Sequence, residues 1–344
     1  MSSIKRLHFG LIGCGEIGLQ NAQALKETRN AELVMCGDIN DEMARDVGKR
    51  FDIPYFTENG KILSSKEIDA VFICTPPFTH APLVIEAAKH QKHVIVEKPM
   101  SVSLIEADQM ISACREAGVK LSVCYCMRYH PDIQKARLLI EKGILGKVLG
   151  VQITFHHDRA ENYWYGGYSS RIKTDWRCDP KKSGGGVLAA NLVHYIDLVR
   201  YLTGLEIEDV YCQYDTLDTP VSVEDSLSLT CLYKNGAIGN ISASFCVRGT
   251  ENFFDFRIWG TDGHLFLASP LRFYSLRSIS GYVPCRWHKI KEKRKNERAE
   301  FIEHFVSSVF DNLMPPASGE DGRAIQAIID AAYLSGRLGH AIKV

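Results

Sequence analysis

Three places in this chain carry residues whose type and spacing could do chemistry. Glu97-Lys98-Pro99 closes the apolar run VIV at 94–96. A lysine leaving the end of a strand can hydrogen-bond a substrate hydroxyl and favour a developing alkoxide. Desolvation brings its pKa down from about 10.4 towards the range that proton transfer needs. His194 stands in GGGVLAANLVHYID, residues 184–197, after three glycines and a short apolar run. An imidazole, with an ordinary pKa of about 6.5, takes up and releases a proton near neutrality. The third place is Gly13-Cys14-Gly15-Glu16-Ile17-Gly18, directly after LHFGLI.

That glycine pattern gains meaning from its position between an apolar run and a helical pattern. The first glycine makes a tight turn, the second lets a pyrophosphate approach the backbone, and the third permits close helix packing. The helix N-terminus supplies donors and the positive end of a dipole. Asp38 follows Gly18 by twenty residues, where a carboxylate can accept from both ribose hydroxyls and repel a 2′-phosphate. Ile39, not an arginine, comes next, so the expected cofactor is NAD in preference to NADP. Thr75-Pro76-Pro77 ends a later apolar run and forces the chain out of a sheet, towards the crevice where the nicotinamide ring would lie. His80 and Glu97 complete the candidate cofactor set together with Lys98.

The elements that must position these groups change character along the chain. Up to residue 126, short apolar runs (7–13, 32–39, 70–75, 93–97 and 120–126) alternate with helical patterns such as SLIEADQMISACREAG. This alternation predicts a doubly wound parallel sheet, an α/β Rossmann domain. Beyond it, VLGVQITFHH, DVYCQYDT, DSLSLTCLY, AIGNISASFC, FFDFRIWG and HLFLAS follow one another with turn signals such as Asn235-Gly236 and Asp262-Gly263. Hairpin chemistry of this kind predicts an α+β domain with a mainly antiparallel sheet. The expected division is therefore 1–126 and 127–344, with the final helical stretch, GRAIQAIIDAAYLSGRLG, free to pack back on the first domain.

Composition narrows the function classes. At 344 residues the chain exceeds the size at which one core keeps growing. Lys plus Arg and Asp plus Glu balance at 41 each, which argues against nucleic acid or an acidic membrane as the main partner. The eleven cysteines are scattered through apparent strands, as buried free thiols of a reducing compartment would be. Cys124-x-Cys126 lacks the spacing of a zinc site, so no metal is expected. No secretory leader or stretch of roughly 18 apolar residues is seen, and the expected location is the cytoplasm.

Taken together, the glycines 13, 15 and 18, Glu97-Lys98-Pro99, Arg128-Tyr129-His130-Pro131, Trp176-Arg177 before Gly184-Gly185-Gly186, and Val223-Glu224-Asp225 with Asn235-Gly236-Ala237 resemble the Gfo/Idh/MocA oxidoreductase family. The likeness runs over nearly the whole chain in order. It implies a second domain with a large open sheet used for dimer or tetramer contacts, and hydride transfer at a carbinol carbon of a sugar or cyclitol. It also implies catalytic roles for Lys98 and for His194, eight residues after the last glycine of the triplet. Many relatives carry Asp or Asn four residues before that histidine, whereas this chain has Ala190 there and Asn191 one position later. Asn191 or a substrate hydroxyl is expected to supply the missing contact, and Asp197 to fix the helix or the imidazole.

Sugars need donors for hydroxyls and flat apolar faces for C–H patches. The segment 156–177, dense in such groups, offers Tyr163, Trp164, Tyr165, Arg171, Trp176 and Arg177, to which Arg128 and Tyr129 are added as substrate-binding candidates. Two other readings stand beside the dehydrogenase: net non-redox glycoside cleavage through transient oxidation, and a dinucleotide-binding sensor or assembly subunit without catalysis.

Overall fold

The computed structural model describes residues 5–159, 161–250 and 253–344. The chain forms two compact units: 1–126, 162–184 and 296–326 make the first, and 127–161, 185–295 and 327–344 the second. A chain break after 126 is thus one of several. The first unit also takes in the aromatic stretch 162–184 and the beginning of the final helix, Gly319–Leu338.

The first unit is built on β1 (Leu7–Ile12), β2 (Ala31–Gly37), β3 (Tyr55–Phe56), β4 (Ala70–Ile73), β5 (His93–Val96) and β6 (Leu121–Val123). They lie parallel in the order β3-β2-β1-β4-β5-β6. Their apolar runs have no alternation because both faces are covered: Leu11, Ile12, Val71, Phe72 and Ile95 are wholly buried. Strand order reverses between β1 and β4, which opens the crevice in which such sheets bind ligands.

Register decides what meets there. Ile12 pairs with Gly37 and Ile73, and Ile73 with Val96, which pairs with Val123. The next residue on each strand, Asp38, Gly13, Cys74, Glu97 and Cys124, therefore leaves the sheet at one level on its carboxyl edge. Every strand ends one or more residues short of the sequence expectation, since the functional residues belong to the turns. β3 was not read at all, because two residues show no period.

The second unit contains β7 (Val148–His156), β8 (Ile207–Asp215), β9 (Ser226–Tyr233), β10 (Ile238–Ser244), β11 (Phe253–Gly260), β12 (Gly263–Phe266), β13 (Leu271–Ser275), β14 (Arg286–Ile290) and β15 (Ile342–Lys343). The order is β14-β13-β12-β11-β7-β10-β9-β8-β15. All neighbours are antiparallel except β7 and β10. Strict alternation in β9, buried at Leu227, Leu229 and Cys231 and open at Ser228 and Thr230, means one covered face and one open face.

The helix Val193–Thr203 lies on the covered face. Tyr195 packs its ring against Phe155 of β7 and Phe254 of β11, with centroids 5.6 and 4.4 Å away. Phe253, Ile238 and Trp287 stand about half exposed on the other face.

Candidate active site

The turn after β1 uses its three glycines for three different ends. Gly13 has φ +95°, and a Cβ there would lie 2.7 Å from the Cys74 carbonyl carbon and oxygen. A Cβ at Gly18 would lie 1.9 Å from the Gly13 oxygen, so that glycine lets the helix α1 (Glu16–Glu27) close onto the turn. A Cβ at Gly15 would meet nothing within 4 Å. The second glycine is thus not needed by the fold, and space is left beside it at the head of α1, whose first amides have no side-chain cap.

Asp38 turns back towards that space. Its Oδ2 accepts from the Cys14 amide at 2.7 Å and its Oδ1 from the Asn40 amide at 2.9 Å. Asn40 in turn caps the helix α2 (Asp41–Phe51), accepting from the Met43 amide. Ile39 is 86% exposed. An open phosphate cradle with an oriented carboxylate at the next strand end fits a dinucleotide whose ribose bears free hydroxyls.

Several cofactor candidates do other work. His80 is fully buried, its Nε2 2.8 Å from the Thr75 carbonyl oxygen and its Nδ1 3.0 Å from that of Pro99. It ties the turn after β4 to the turn after β5. Thr75 accepts from the Thr79 hydroxyl at 2.6 Å, and Pro76 and Pro77 lead into the turn that ends at Thr79.

Glu97 is likewise turned inward, at 7% exposure. Its Oε1 accepts from Asn21 Nδ2 at 2.9 Å and from Arg298 Nη1 at 3.3 Å, and its Oε2 from the Lys98 amide at 3.3 Å. Burial opposes its charge, but Arg298, Lys98 and Asn21 outweigh that and hold the carboxyl below its ordinary range. Glu97 therefore supports the strand end, while Lys98, next in the chain, is partly exposed.

Residues 162–184 lie on this same unit. The Glu16 carboxylate accepts from the amides of Tyr168 (3.0 Å) and Ser169 (3.3 Å). Arg171 pairs with Asp46 on α2 and donates Nε to the Met43 sulfur at 3.4 Å. Arg171 is thereby held on α2. Trp164, 2% exposed, and Tyr163, 7%, pack edge to face in the interior. Trp176 and Arg177 remain part exposed, with the guanidinium 4.3 Å over the indole. Tyr165 is 40% exposed.

In the second unit, buried polar contacts hold the His194 helix. Glu224 accepts from the Gly186 amide (2.7 Å), the Leu188 amide (3.0 Å) and the Tyr333 hydroxyl (2.8 Å). A Cβ on Gly186 would lie 1.8 Å from the Glu224 oxygen, and one on Gly185 1.8 Å from the Tyr333 hydroxyl. These two glycines therefore admit the Glu224 main chain and the Tyr333 hydroxyl.

Leu188–Leu192 then forms a π-helical turn before the α-helix begins at Val193. The 100° spacing of an α-helix does not carry through that turn, and π turns concentrate at functional sites. Asn191 Oδ1 is buried there without a hydrogen-bond partner among the described residues. His194 is partly exposed.

Further along, Asp197 receives both Nε (2.8 Å) and Nη2 of Arg128. The pair is buried, at 7% and 1% exposure, and the guanidinium also lies 5.0 Å from the Tyr201 ring centre. Arg128 thus braces the helix through Asp197. Tyr129 ends the short turn Cys126–Tyr129 and is part exposed. Among the described residues no group of three or more His, Cys, Asp or Glu is arranged to hold a metal ion. All eleven cysteines are free thiols.

Sequence reasoning missed Arg298, Asn21 and Tyr333, and gave no role to Glu224. Arg298 lies more than two hundred residues from its partner Glu97, and no local signal marks it. Val223-Glu224-Asp225 was noticed as a motif, but an acid after an apolar residue says nothing about which amides it will cap.

A crossing-point crevice, an open phosphate cradle and an acid aimed at it define a class of protein, the dinucleotide-dependent oxidoreductases. Residues 7–125 match the oxidoreductase family with an NAD-binding Rossmann fold, and 133–266 the GFO/IDH/MocA C-terminal domain. The chain belongs to the Gfo/Idh/MocA oxidoreductase family, and its cofactor is NAD.

Among relatives, it is 28% identical to myo-inositol 2-dehydrogenase of Thermotoga maritima over 92% of each chain. It is 31% identical to glucose-6-phosphate 3-dehydrogenase of Bacillus subtilis over 69% of this chain and 67% of that one. The structure of levoglucosan dehydrogenase with NADH and levoglucosan superposes with a TM-score of 0.88 over 99% of both chains, at 23% identity, a likeness of fold. No helix among the described residues is long and apolar enough to cross a membrane.

Proposed function

We propose that the protein moves a hydride between NAD and a secondary alcohol or keto carbon of a sugar, cyclitol or derivative, with Lys98 and His194 as the catalytic residues. The observation that carries this reading is the nearly full-length likeness to myo-inositol 2-dehydrogenase, with a lysine at the carboxyl edge of β5 beside the crossing point. NAD, when bound, supplies the hydride acceptor. In the oxidative direction Lys98 donates a hydrogen bond to the substrate oxygen and steadies the charge it gains. His194 takes the hydroxyl proton, and on reduction it returns that proton. Asn191, with its unpartnered buried oxygen, offers an acceptor for a second substrate hydroxyl, in place of the acid that relatives carry at the position of Ala190.

A spectrophotometric screen of sugars, cyclitols and uronic acids with NAD and NADP tests the reading. The expected result is NADH formation on at least one carbinol, with NAD outperforming NADP and with Lys98→Met inactive. Substrate loss without net NADH indicates glycoside cleavage through transient oxidation. NAD binding without turnover across the panel overturns catalysis in favour of a sensor. Self-association belongs to the same reading: the open sheet face, with Phe253, Ile238 and Trp287 exposed, is the surface we assign to dimer or tetramer contacts. Light scattering on Ile238→Lys is expected to show smaller particles than the parent protein, and equal masses would remove that assignment. Eleven free thiols suit a reducing compartment, and the cytoplasm is the proposed location.

A further inference from the structure

Directly beneath the carboxyl edge of the first sheet lies a polar cluster that the proposed chemistry does not use. Arg298 enters it from the helix Glu297–Phe310. Its Nη1 donates to Asn21 Oδ1 at 2.7 Å, to Glu97 Oε1 at 3.3 Å and, at 3.8 Å, to the Cys124 sulfur. Asn21, wholly buried on α1, donates its amide to Glu97 and, at 3.2 Å, to the Cys74 sulfur. The row of residues leaving the strands at one level thus closes over one anion and one cation, lined by neutral thiols.

A single buried carboxylate costs several kcal/mol unless it is paired, and this one sits one residue before the amine that the proposed reaction needs. Two partners compete for the Glu97 charge. One is Arg298, below the sheet edge, and the other is the Lys98 amine. Because Arg298 takes one carboxylate oxygen with Asn21, the other is left to accept from the Lys98 main-chain amide. The groups facing Glu97 are Arg298, Lys98, Cys74, Cys124, Cys126 and, through the field, His80; Cys126 also faces Arg298 and Glu297.

We infer that Arg298 is a positioning residue: it holds the Glu97 carboxylate in the interior, fixes the backbone from which Lys98 emerges and offsets the negative charge that the Lys98 amine would otherwise feel. The inference rests on the catalytic reading of Lys98 and adds to it the residue that prepares the amine.

Purified full-length protein is labelled with acetic anhydride across a pH series, with and without NAD, and the Lys98 peptide is followed by mass spectrometry. Arg298→Met leaves Glu97 unbalanced. The midpoint of Lys98 acylation is expected to move up by about one pH unit or more, so that labelling below it slows about tenfold. Glu97→Gln removes the anion and keeps the cation, and the midpoint is expected to move down. The double variant returns towards the parent value. A purely structural role for Arg298 would give shifts of the same sign or none, and either result overturns the inference.

Should Arg298→Met fail to fold, Arg298→Lys, which keeps the charge and the parent midpoint, and Glu97→Gln decide the matter between them. NAD titration and melting curves report whether each variant retains its fold and cofactor site. Lys98→Met retaining turnover would sink the catalytic reading alone, since the labelling series still reads the Arg298 effect.

Discussion

The two units place their chemical groups by different means. In the first, the groups come from strand ends: Asp38, Gly13, Cys74 and Glu97 share one level because β2, β1, β4 and β5 are in register. In the second, His194 rides on a helix whose entry is a π-helical turn and whose orientation depends on Glu224, Tyr333, Arg128 and Asp197. A sheet edge delivers position through many repeated backbone bonds, each individually weak. The helix adds to its buried apolar side chains a few buried polar contacts that no repeat replaces. The second arrangement should therefore be the more fragile to single substitutions away from the reacting groups.

The largest expected effect is on the chemistry itself, where the two units should be equal. His194→Ala and Lys98→Met are each expected to lower kcat by about 10²–10⁴-fold, read by NADH absorbance, with NAD affinity little changed. A loss confined to one of them would break the symmetry.

Next comes the brace. Arg128→Met strands the Asp197 carboxylate in the interior and should destabilise the protein by about 3–5 kcal/mol in urea unfolding. Arg128→Met with Asp197→Leu should recover most of that loss, and a double variant as unstable as the single would refute the explanation.

In the first unit the matching test leaves stability alone. Gly15 has φ −65° and open space at its Cβ, so Gly15→Val should melt with the parent protein. It should bind NAD at least about tenfold more weakly, some 1.4 kcal/mol, by calorimetry. A fall in melting temperature with NAD affinity intact would mean that the space belongs to the fold.

The smallest effect sharpens the contrast. Tyr333→Phe removes one hydrogen bond to Glu224 and should cost about 1 kcal/mol, visible in melting curves. A total collapse, or no change, would show that Glu224 is held differently.

Legibility in the sequence divides along the same line. Apolar runs and helical stripes announced the parallel sheet, and the glycine spacing announced the cradle, because both follow from local chain geometry. Lys98 and His194 stood out by type. What escaped were contacts between residues distant in sequence: Arg298 with Glu97, Glu224 with Gly186, Arg128 with Asp197. Type and spacing could not show that Arg128, Arg171, Glu97 and His80 each have a protein partner. The π turn before His194 is invisible to periodicity over five residues.

The first unit is sewn from three lengths of chain, 1–126, 162–184 and 296–326. An amino-terminal fragment cut at 126 would carry the whole glycine turn and Glu97, yet lack the guanidinium that neutralises it. The strand edge that such a fragment carries would keep its anion and lose the cation that the far end of the chain supplies.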